Sequence, residues 1–373
     1  MRHHLVRTAL ALLGWAMAGQ AALAHSDIMA AFPPLPQVAP LMPPTPLTSS
    51  TQGEIRFNSG SPYDMDVLLQ QGNKATPTSG GGRLYLPAGA SEVRKVPAMV
   101  ILPGITGAAH DSEFATAETL ARHGIAALVV DYDKPRGVTP EMSYRDRMLV
   151  ASEFDVVTDA YAALRALNVH PSIDPQRIGV MGFARGGMVA RMTMDARFRQ
   201  VLAPNVPPFA LHVDFYGPCY AQLHTRKTTG TPLVSFRAAE DASSDLVACA
   251  NEEVQLRQAG SAVSTVVYAK AAHAWNSHLP RAMDDRPYLT GCTIQFTEQA
   301  LPAIRGNTLI PPDAAYDRET RYRLRAQASQ KLGDCVKFGV LTGHDDETTD
   351  QANKQLLQFL KTRFALPPSG PVH

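Results

Sequence analysis

The sequence predicts an α/β protein built on a mostly parallel central sheet that helices cover on both faces. Apolar runs typical of strands buried on both sides alternate with segments of helical spacing, such as 113–123 and 152–167. The alternation ends in a final helix at 349–364. The predicted buried strands are 98–102, 125–130, 177–181, 211–216, 232–236 and 264–268. Parallel sheets bind ligands at the carboxyl ends of their strands, so functional residues are expected in the loops that follow them.

Two segments depart from this alternation. Strand-like runs at 54–57 and 83–86, separated by a turn region that ends in SGGG at 79–82, predict an opening antiparallel element. Residues 277–334 break the strand–helix rhythm and are interpreted as an insertion, a candidate cap, before the C-terminal helix. The main domain is therefore expected to span 53–366, followed by a short tail at 367–373.

Composition excludes some classes of partner. The chain has 373 residues, of which 45% are hydrophobic, and this is enough for one large core. Charged residues are 18% and the net charge is +1, so no strong field attracts polyanions. Without a basic stretch interleaved with aromatics, a nucleic-acid partner is not expected, and a neutral or weakly charged small molecule fits better. The sequence predicts no oligomeric state.

The N-terminus is typical of a signal peptide. Basic residues precede an apolar run at 9–19, and the small residues of ALA at 22–24 follow as a cleavage site. Residues 1–24 are therefore predicted to be removed on export to the periplasm or outside the cell; a membrane anchor and a buried helix are the alternatives. The Pro-rich segment 25–52 predicts a linker or a tail on the surface. No membrane span is expected in the mature chain.

The four cysteines are expected to form disulfides. Their long spacings contain no CxxC, which argues against a zinc site, and an exported chain reaches an oxidising compartment. Four cysteines allow three pairings. We favour Cys219–Cys249 and Cys292–Cys335, because each pair joins neighbouring segments of the predicted fold; buried free thiols are the alternative.

The segment GFARGG at 182–187 lies directly after a buried strand and before a helix. This context is the one required by the nucleophile elbow, a sharp Gly-x-Ser-x-Gly turn that presents its central side chain to the site. Here the central residue is Ala184. The backbone N–H of Arg185 would donate to an oxyanion at the helix N-terminus. A tight strand–helix turn without a catalytic role is the alternative interpretation.

Three other strand ends supply matching groups. The segment LPGITG at 102–107 would provide a second oxyanion donor, the N–H of Ile105. Asp241 follows the strand at 232–236 and is the candidate acid, with Asp245 as its rival. His273 follows the next strand, which gives the chain order nucleophile, acid, histidine.

The sequence resembles the dienelactone hydrolase family of α/β hydrolases over 99–364. The resemblance is carried by VDYDKPRG at 130–137, DAYAAL at 159–164, DPQRI at 174–178 and AHAW at 272–275. It implies an α/β-hydrolase fold and hydrolysis of small esters or lactones by a Ser or Cys nucleophile with Asp and His, without a metal or other cofactor. Carried over by position, His273 is the general base, Asp241 its orienting acid, and Ile105 and Arg185 the oxyanion donors.

The departure from the family pattern is Ala184, because alanine has no atom that can attack a carbonyl. The chain is therefore expected to be an inactive or nearly inactive carboxylic ester hydrolase scaffold. It is either an engineered Ser→Ala or Cys→Ala variant, or a natural pseudoenzyme that binds an ester- or carboxylate-like molecule. A nucleophile elsewhere, at Ser243, Ser244 or Ser277, is a third hypothesis.

Several other residues are candidates for substrate binding. His110 and Trp275 are predicted to line the pocket, with a surface histidine and a packed indole as the respective alternatives. Arg136 is predicted to pair with a substrate carboxylate or to close a salt bridge within a loop. The acidic run HDDE at 344–347 is interpreted as a solvated helix N-terminus rather than a metal site.

Overall fold

The structure is a computed structural model that describes residues 32–70, 75–107 and 111–366. The predicted signal peptide 1–24, residues 25–31 of the Pro-rich segment, the tail 367–373 and His110 lie outside these residues. In the part of the chain that the structure describes, no helix combines the length and apolarity needed to cross a membrane.

A mostly parallel sheet forms the centre of the fold. Its strand order is β1-β2-β4-β3-β5-β6-β8-β9, in which β1, β2 and β4 pair antiparallel and all later pairs are parallel. The strands are β1 (Gly53–Ser61), β2 (Thr76–Tyr85), β3 (Val96–Leu102), β4 (Ala126–Asp131), β5 (Ile173–Phe183), β6 (His212–Phe215), β8 (Leu233–Ala238) and β9 (Val263–Tyr268). Every residue of β3 is buried, as its unbroken apolar run predicts.

Helices alternate with these strands, and the predicted α/β class is confirmed. They are α1 (Met65–Gln70), α2 (Asp111–Arg122), α3 (Tyr144–Val150), α4 (Glu153–Asn168), α5 (Arg185–Met192), α6 (Ala196–Leu202), α7 (Leu246–Gln258), α8 (Arg318–Ser329) and α9 (Asp346–Arg363). Helix α4 begins with a reciprocal cap in which Ser152 and Asp155 each accept a backbone N–H from the other. The predicted helix start at 152 thus coincides with the residue that caps the helix.

The glycine run at 79–82 was expected in a turn, and this prediction is wrong. These residues lie inside β2, where Gly81 and Gly82 pair with β1 on one side and β4 on the other. A Cβ on Gly82 would overlap the carbonyl oxygen of Val129, and one on Gly80 would overlap the ring of Phe57. The glycines are needed for close strand approach rather than for a turn.

The described Pro-rich residues from Pro36 onward form no helix or strand but are bonded to the domain. Ala39 N–H donates to the carbonyl of Pro135 at 2.6 Å, and Thr78 Oγ1 donates to the carbonyl of Ala39 at 2.7 Å. The Met42 N–H donates to Ser79 Oγ at 2.7 Å. This segment follows the surface, one of the two predicted arrangements.

The region predicted as an insertion folds into two small sheets and α8. One sheet pairs β10 (Ala282–Leu289) antiparallel with β14 (Val336–Thr342). The other has the order β13-β12-β11-β7, with β11 (Ile294–Phe296), β12 (Pro302–Ile304) and β13 (Asn307–Thr308). Its fourth strand, β7 (Ala221–Gln222), precedes the insertion in the chain and pairs parallel with β11. Strands on either side of the insertion thus hold it in place.

Three arginines on α8 attach the insertion to the main domain through buried ion pairs. The pairs are Arg318–Asp155 at 2.8 Å, Arg321–Asp66 at 2.9 Å, Arg325–Asp64 at 2.6 Å and Arg325–Glu153 at 3.0 Å. Asp64 and Asp155 are fully buried. Asp64 therefore takes its counter-charge from arginines of the insertion, whereas Asp155 also pairs with Arg136 of the main domain.

The structure confirms both favoured disulfides. Cys219 pairs with Cys249 and Cys292 pairs with Cys335, with Cα–Cα distances of 5.0 and 5.5 Å. The second bridge joins residues 43 positions apart and closes most of the insertion into one loop.

Removing the Cys292–Cys335 bridge should destabilise the protein. A Cys292→Ser/Cys335→Ser double variant frees the loop in the unfolded chain, so we expect the free energy of unfolding to fall by about 3 kcal/mol. Urea denaturation of the oxidised proteins measures the difference. A midpoint equal to that of the parent chain would contradict the expectation, and a Cys292→Ala/Cys335→Ala variant is the control for the sulfur-to-oxygen exchange.

Candidate active site

Ala184 occupies a sharp turn between β5 and α5. Its backbone has φ 49° and ψ −116°, a conformation that side-chain-bearing residues rarely adopt. The Ala184 N–H donates to the carbonyl of Phe215 at 2.9 Å, and its carbonyl accepts the N–H of Met188 at 3.0 Å. Bonds to β6 and to the first turn of α5 thus hold the strained residue in place.

The glycines around Ala184 make this turn sterically feasible. A Cβ on Gly182 would overlap the backbone of Gly186, and a Cβ on Gly186 would overlap the carbonyl of Leu102 at the end of β3. A Cβ on Gly187 would lie 2.9 Å from the carbonyl oxygen of Phe215. The spacing of GFARGG therefore reflects direct backbone contacts on three sides of the elbow.

His273 and Asp241 form a buried pair. His273 Nδ1 lies 2.7 Å from Asp241 Oδ2, and the two residues are 5% and 3% exposed. Burial would raise the pKa of Asp241, but attraction from His273 and hydrogen bonds from His273, Ser243 and Ser244 outweigh it and hold the pKa below its ordinary value. The carboxylate therefore stays ionised and engages Nδ1, so Nε2 is the ring nitrogen that can exchange a proton with the site.

The chain that returns from the insertion positions His273. The His273 N–H donates to the carbonyl of Leu341 at 3.0 Å, and Gly343 N–H donates to the carbonyl of His273 at 2.9 Å. The ring of Tyr216 meets the imidazole edge to face, with centroids 4.9 Å apart. Backbone bonds to β14 and one aromatic contact thus fix the ring in the site.

The sequence-predicted groups converge on two adjoining cavities. Ala184, His273 and Ile105 line both a gap of about 40 Å³ and a cavity of about 240 Å³, and Arg185 lines the first. Behind the Ile105 loop, the hydroxyl of Tyr132 donates to the carbonyl of Pro103 at 3.1 Å. Ends of β3, β5, β8 and β9 therefore meet at one point, as a parallel sheet requires.

The larger cavity also has polar wall residues. Ser277 was a sequence candidate, and the residues that sequence reasoning missed include Ser112, Glu113, Tyr144, Asp284 and Arg286. Burial raises the pKa of Glu113, whose carboxylate accepts the hydroxyl of Ser112 at 2.8 Å. Arg286 pairs with Asp284 at 2.8 Å. Both come from β10, and no motif predicts how an insertion folds back over a site.

Arg136 requires a correction, because it does not line the cavities beside Ala184. Its side chain is fully buried and donates to Asp159 at 2.6 Å and to the carbonyl of Tyr132 at 2.9 Å. It also pairs with Asp155 at 3.3 Å. With its charge neutralised inside the domain, Arg136 closes an internal salt bridge, which was the alternative interpretation.

Trp275 also lies outside the cavity walls. Its indole is fully buried and packs against Tyr216 and Tyr268, with ring centroids 4.7 and 5.5 Å away. The residue is the packed indole of the alternative interpretation, and it packs against Tyr216, the ring that also contacts His273. His110 falls in the undescribed segment 108–110.

The rival residues take other roles. Asp245 caps α7 by accepting the N–H of Ala248 at 3.0 Å. Ser243 Oγ lies 3.2 Å from His273 Nδ1, the nitrogen already engaged by Asp241, which is the wrong side of the ring for a nucleophile. The Ser244 hydroxyl donates to Asp241 at 2.9 Å. Ser277 lines the larger cavity and is considered further below.

The acidic run at 344–347 forms a helix start. Asp345 caps α9 by accepting the N–H of Thr348 at 2.7 Å, and His344 Nε2 lies 2.9 Å from Asp346. Within the described ranges, no group of three or more His, Cys, Asp or Glu side chains is arranged to hold a metal ion.

This sheet, with an elbow and a buried His–Asp pair at its strand ends, defines an α/β hydrolase fold. The sequence profile of the dienelactone hydrolase family matches residues 81–292, more than half of the chain. The chain belongs to the dienelactone hydrolase family, and the resemblance seen in its motifs is confirmed.

Individual relatives are more distant. A Bradyrhizobium protein named "Probable 2-oxo-3-(5-oxofuran-2-ylidene)propanoate lactonase" is 27% identical over 215 residues, which cover 54% of this chain and 82% of that protein. The apo form of Thermogutta terrifontis esterase 2 is 18% identical, covers 53% of this chain and 81% of its own, and superposes with a TM-score of 0.44.

The elbow should not tolerate a methyl group on its glycines. We expect Gly186→Ala to lower the free energy of unfolding by roughly 2–3 kcal/mol or more, because the added Cβ overlaps the Leu102 carbonyl. Gly60→Ala in β1 is the matched control, since its Cβ would meet nothing closer than 3.6 Å. Thermal and urea unfolding measure both; equal losses in the two variants would contradict the packing argument.

Proposed function

We propose that this chain is an exported hydrolase scaffold for small carboxylic esters or lactones, in which Ala184 replaces the nucleophile. The observation that carries the proposal is the Asp241–His273 pair, whose imidazole shares cavity walls with Ala184 and Ile105. Family membership supports the reaction class, and the lactonase name of the Bradyrhizobium relative supports lactones as one substrate type. With alanine at position 184, the chain binds its ester without appreciable turnover.

The mechanism follows from the position of each group. With Ser or Cys at 184, His273 Nε2 would take the proton from the attacking atom while Asp241 stabilises the imidazolium. The N–H groups of Ile105 and Arg185 would donate hydrogen bonds to the carbonyl oxygen as its negative charge develops. The alcohol leaves with a proton from His273, and water activated by the same ring then releases the acyl group.

A natural pseudoenzyme is the alternative function. Ala184 removes the attacking atom but leaves the cavities of about 40 and 240 Å³ and their polar walls in place. Such a site can bind an ester- or carboxylate-like molecule without changing it. The two functions differ in one respect, since an engineered or recent loss of the nucleophile is reversible by one substitution.

Export is supported by two kinds of observation. The first 24 residues carry the features of a cleavable signal, and the mature chain has two disulfides. Such bridges persist in the periplasm or outside the cell, where thiols are oxidised.

Restoring a hydroxyl at the elbow should restore catalysis. We expect Ala184→Ser to hydrolyse a short-chain p-nitrophenyl ester at least about a thousandfold faster than the parent, because the rest of the machinery is present. Release of p-nitrophenolate measures the rate. Ala274→Ser is the matched control, since Ala274 lines the same cavity but lies outside the elbow.

Equal inertness of the parent and Ala184→Ser would favour the pseudoenzyme. A parent that is already fast would contradict the assignment of position 184 and require a nucleophile elsewhere.

The acid can be tested in the Ala184→Ser background. Asp241→Asn should lower kcat by about 10⁴, because the amide favours the wrong imidazole tautomer and cannot stabilise the imidazolium. Asp245→Asn should change kcat less than about tenfold, since asparagine also caps helices. Steady-state kinetics of the two variants decide between the carboxylates, and a larger loss at Asp245 would overturn the choice of Asp241.

A further inference from the structure

An apolar cavity of about 510 Å³ lies between α3 and the insertion. We call it the apolar chamber; its walls include Met148, Leu149, Ile294, Leu309, Leu332 and Phe338. It shares Tyr144, Met148, Tyr220, Pro287, Tyr288 and Leu289 with the 40 Å³ gap beside Ala184. One ligand can therefore place a hydrocarbon group in the chamber and its ester carbonyl beside Ala184.

The charged residues of the chamber wall are already neutralised. Glu153 and Arg325 pair with each other at 3.0 Å, and Arg325 also binds Asp64 at 2.6 Å. Arg145 pairs with Asp146 at 3.3 Å. An ionic group entering the chamber would lose its hydration without gaining a counter-ion, whereas a hydrocarbon group would gain from leaving water.

The 240 Å³ cavity beside Ala184 differs from the chamber in having unpaired polar groups in the described part of its wall. There the buried hydroxyl of Ser277 and the Nε of Arg286 have no hydrogen-bond partner among the described residues. These groups suit the polar part of a substrate. The 240 Å³ cavity and the 40 Å³ gap share Ala184 and His273, and the apolar chamber adjoins the gap through Tyr144, Met148 and Tyr288.

We propose that the apolar chamber is a binding site for the hydrocarbon half of the ester, a chain or ring of roughly five carbons or more. Its volume lies within the usual range for small-molecule sites, roughly 300–1,000 Å³. This assignment rests on the proposed function and names its substrate class: esters with one extended apolar group, rather than short or doubly charged ones.

Binding to the chain as it stands tests the proposal, because Ala184 leaves the ester intact. Methyl hexanoate, methyl acetate and monomethyl adipate are titrated and followed by protein NMR. Each methylene moved from water into an apolar site can raise affinity up to about fourfold. We expect methyl hexanoate to bind at least about tenfold tighter than methyl acetate. Its affinity should also be at least about tenfold higher than that of monomethyl adipate, because the adipate has the same chain length but ends in a carboxylate.

Two variants locate the effect. Leu332→Trp fills the chamber, and Phe338→Ala removes a wall residue that is 65% exposed and whose loss should not impair folding. Both should reduce the preference for methyl hexanoate at least about threefold. Val169→Trp, on a surface site that is 67% exposed and outside the chamber, should leave the preference unchanged.

Equal affinity for the three esters would overturn the proposal, as would a preference that survives both chamber variants. These outcomes are independent of the catalytic test. If Ala184→Ser fails to turn over esters while methyl hexanoate still binds selectively, the proposed hydrolysis fails and the chamber assignment stands.

Discussion

The site depends on the backbone contact between β5 and α5 at the elbow. Gly182 and Gly186 touch without side chains, and this lets the chain reverse within one residue and hold Ala184 in a strained conformation. The strained conformation is held by hydrogen bonds to β6 and to α5, two elements whose residues are all buried. Everything that converges on position 184 does so because the elbow projects that residue beyond the strand ends.

The histidine is secured in a different way. The Asp241 loop is held by its own serines, but the backbone of His273 bonds to residues just past the insertion, at Leu341 and Gly343. The insertion therefore affects the site twice, through the strand that returns from it and through the β10 residues that line the cavities. The candidate catalytic groups follow strands of the central sheet, and part of the wall around them comes from 277–334.

Sequence reasoning succeeded where the parallel sheet itself fixes the outcome. Ala184, Asp241 and His273 each follow a strand of the parallel sheet, so their convergence could be predicted from chain order, although the strand before His273 is mostly exposed. Prediction failed where long-range packing decides: the SGGG glycines accommodate neighbouring strands instead of forming a turn, and Arg136 takes the internal salt bridge with Asp159 rather than the other predicted role of binding a substrate carboxylate. Arg286 and the apolar chamber could not be predicted, because no local pattern fixes the path of the insertion.

The arginines of α8 limit how this scaffold can be altered. Arg321 and Arg325 are the counter-ions of Asp64, a carboxylate that lies fully buried in the main domain, and Arg318 is one of two counter-ions of Asp155, the other being Arg136. Excising the insertion, or grafting a shorter loop in its place, would leave the buried Asp64 carboxylate without a counter-ion, at a cost of about 3–5 kcal/mol. The insertion is thus not a detachable lid, and a minimal version of the protein would need a neutral residue at position 64.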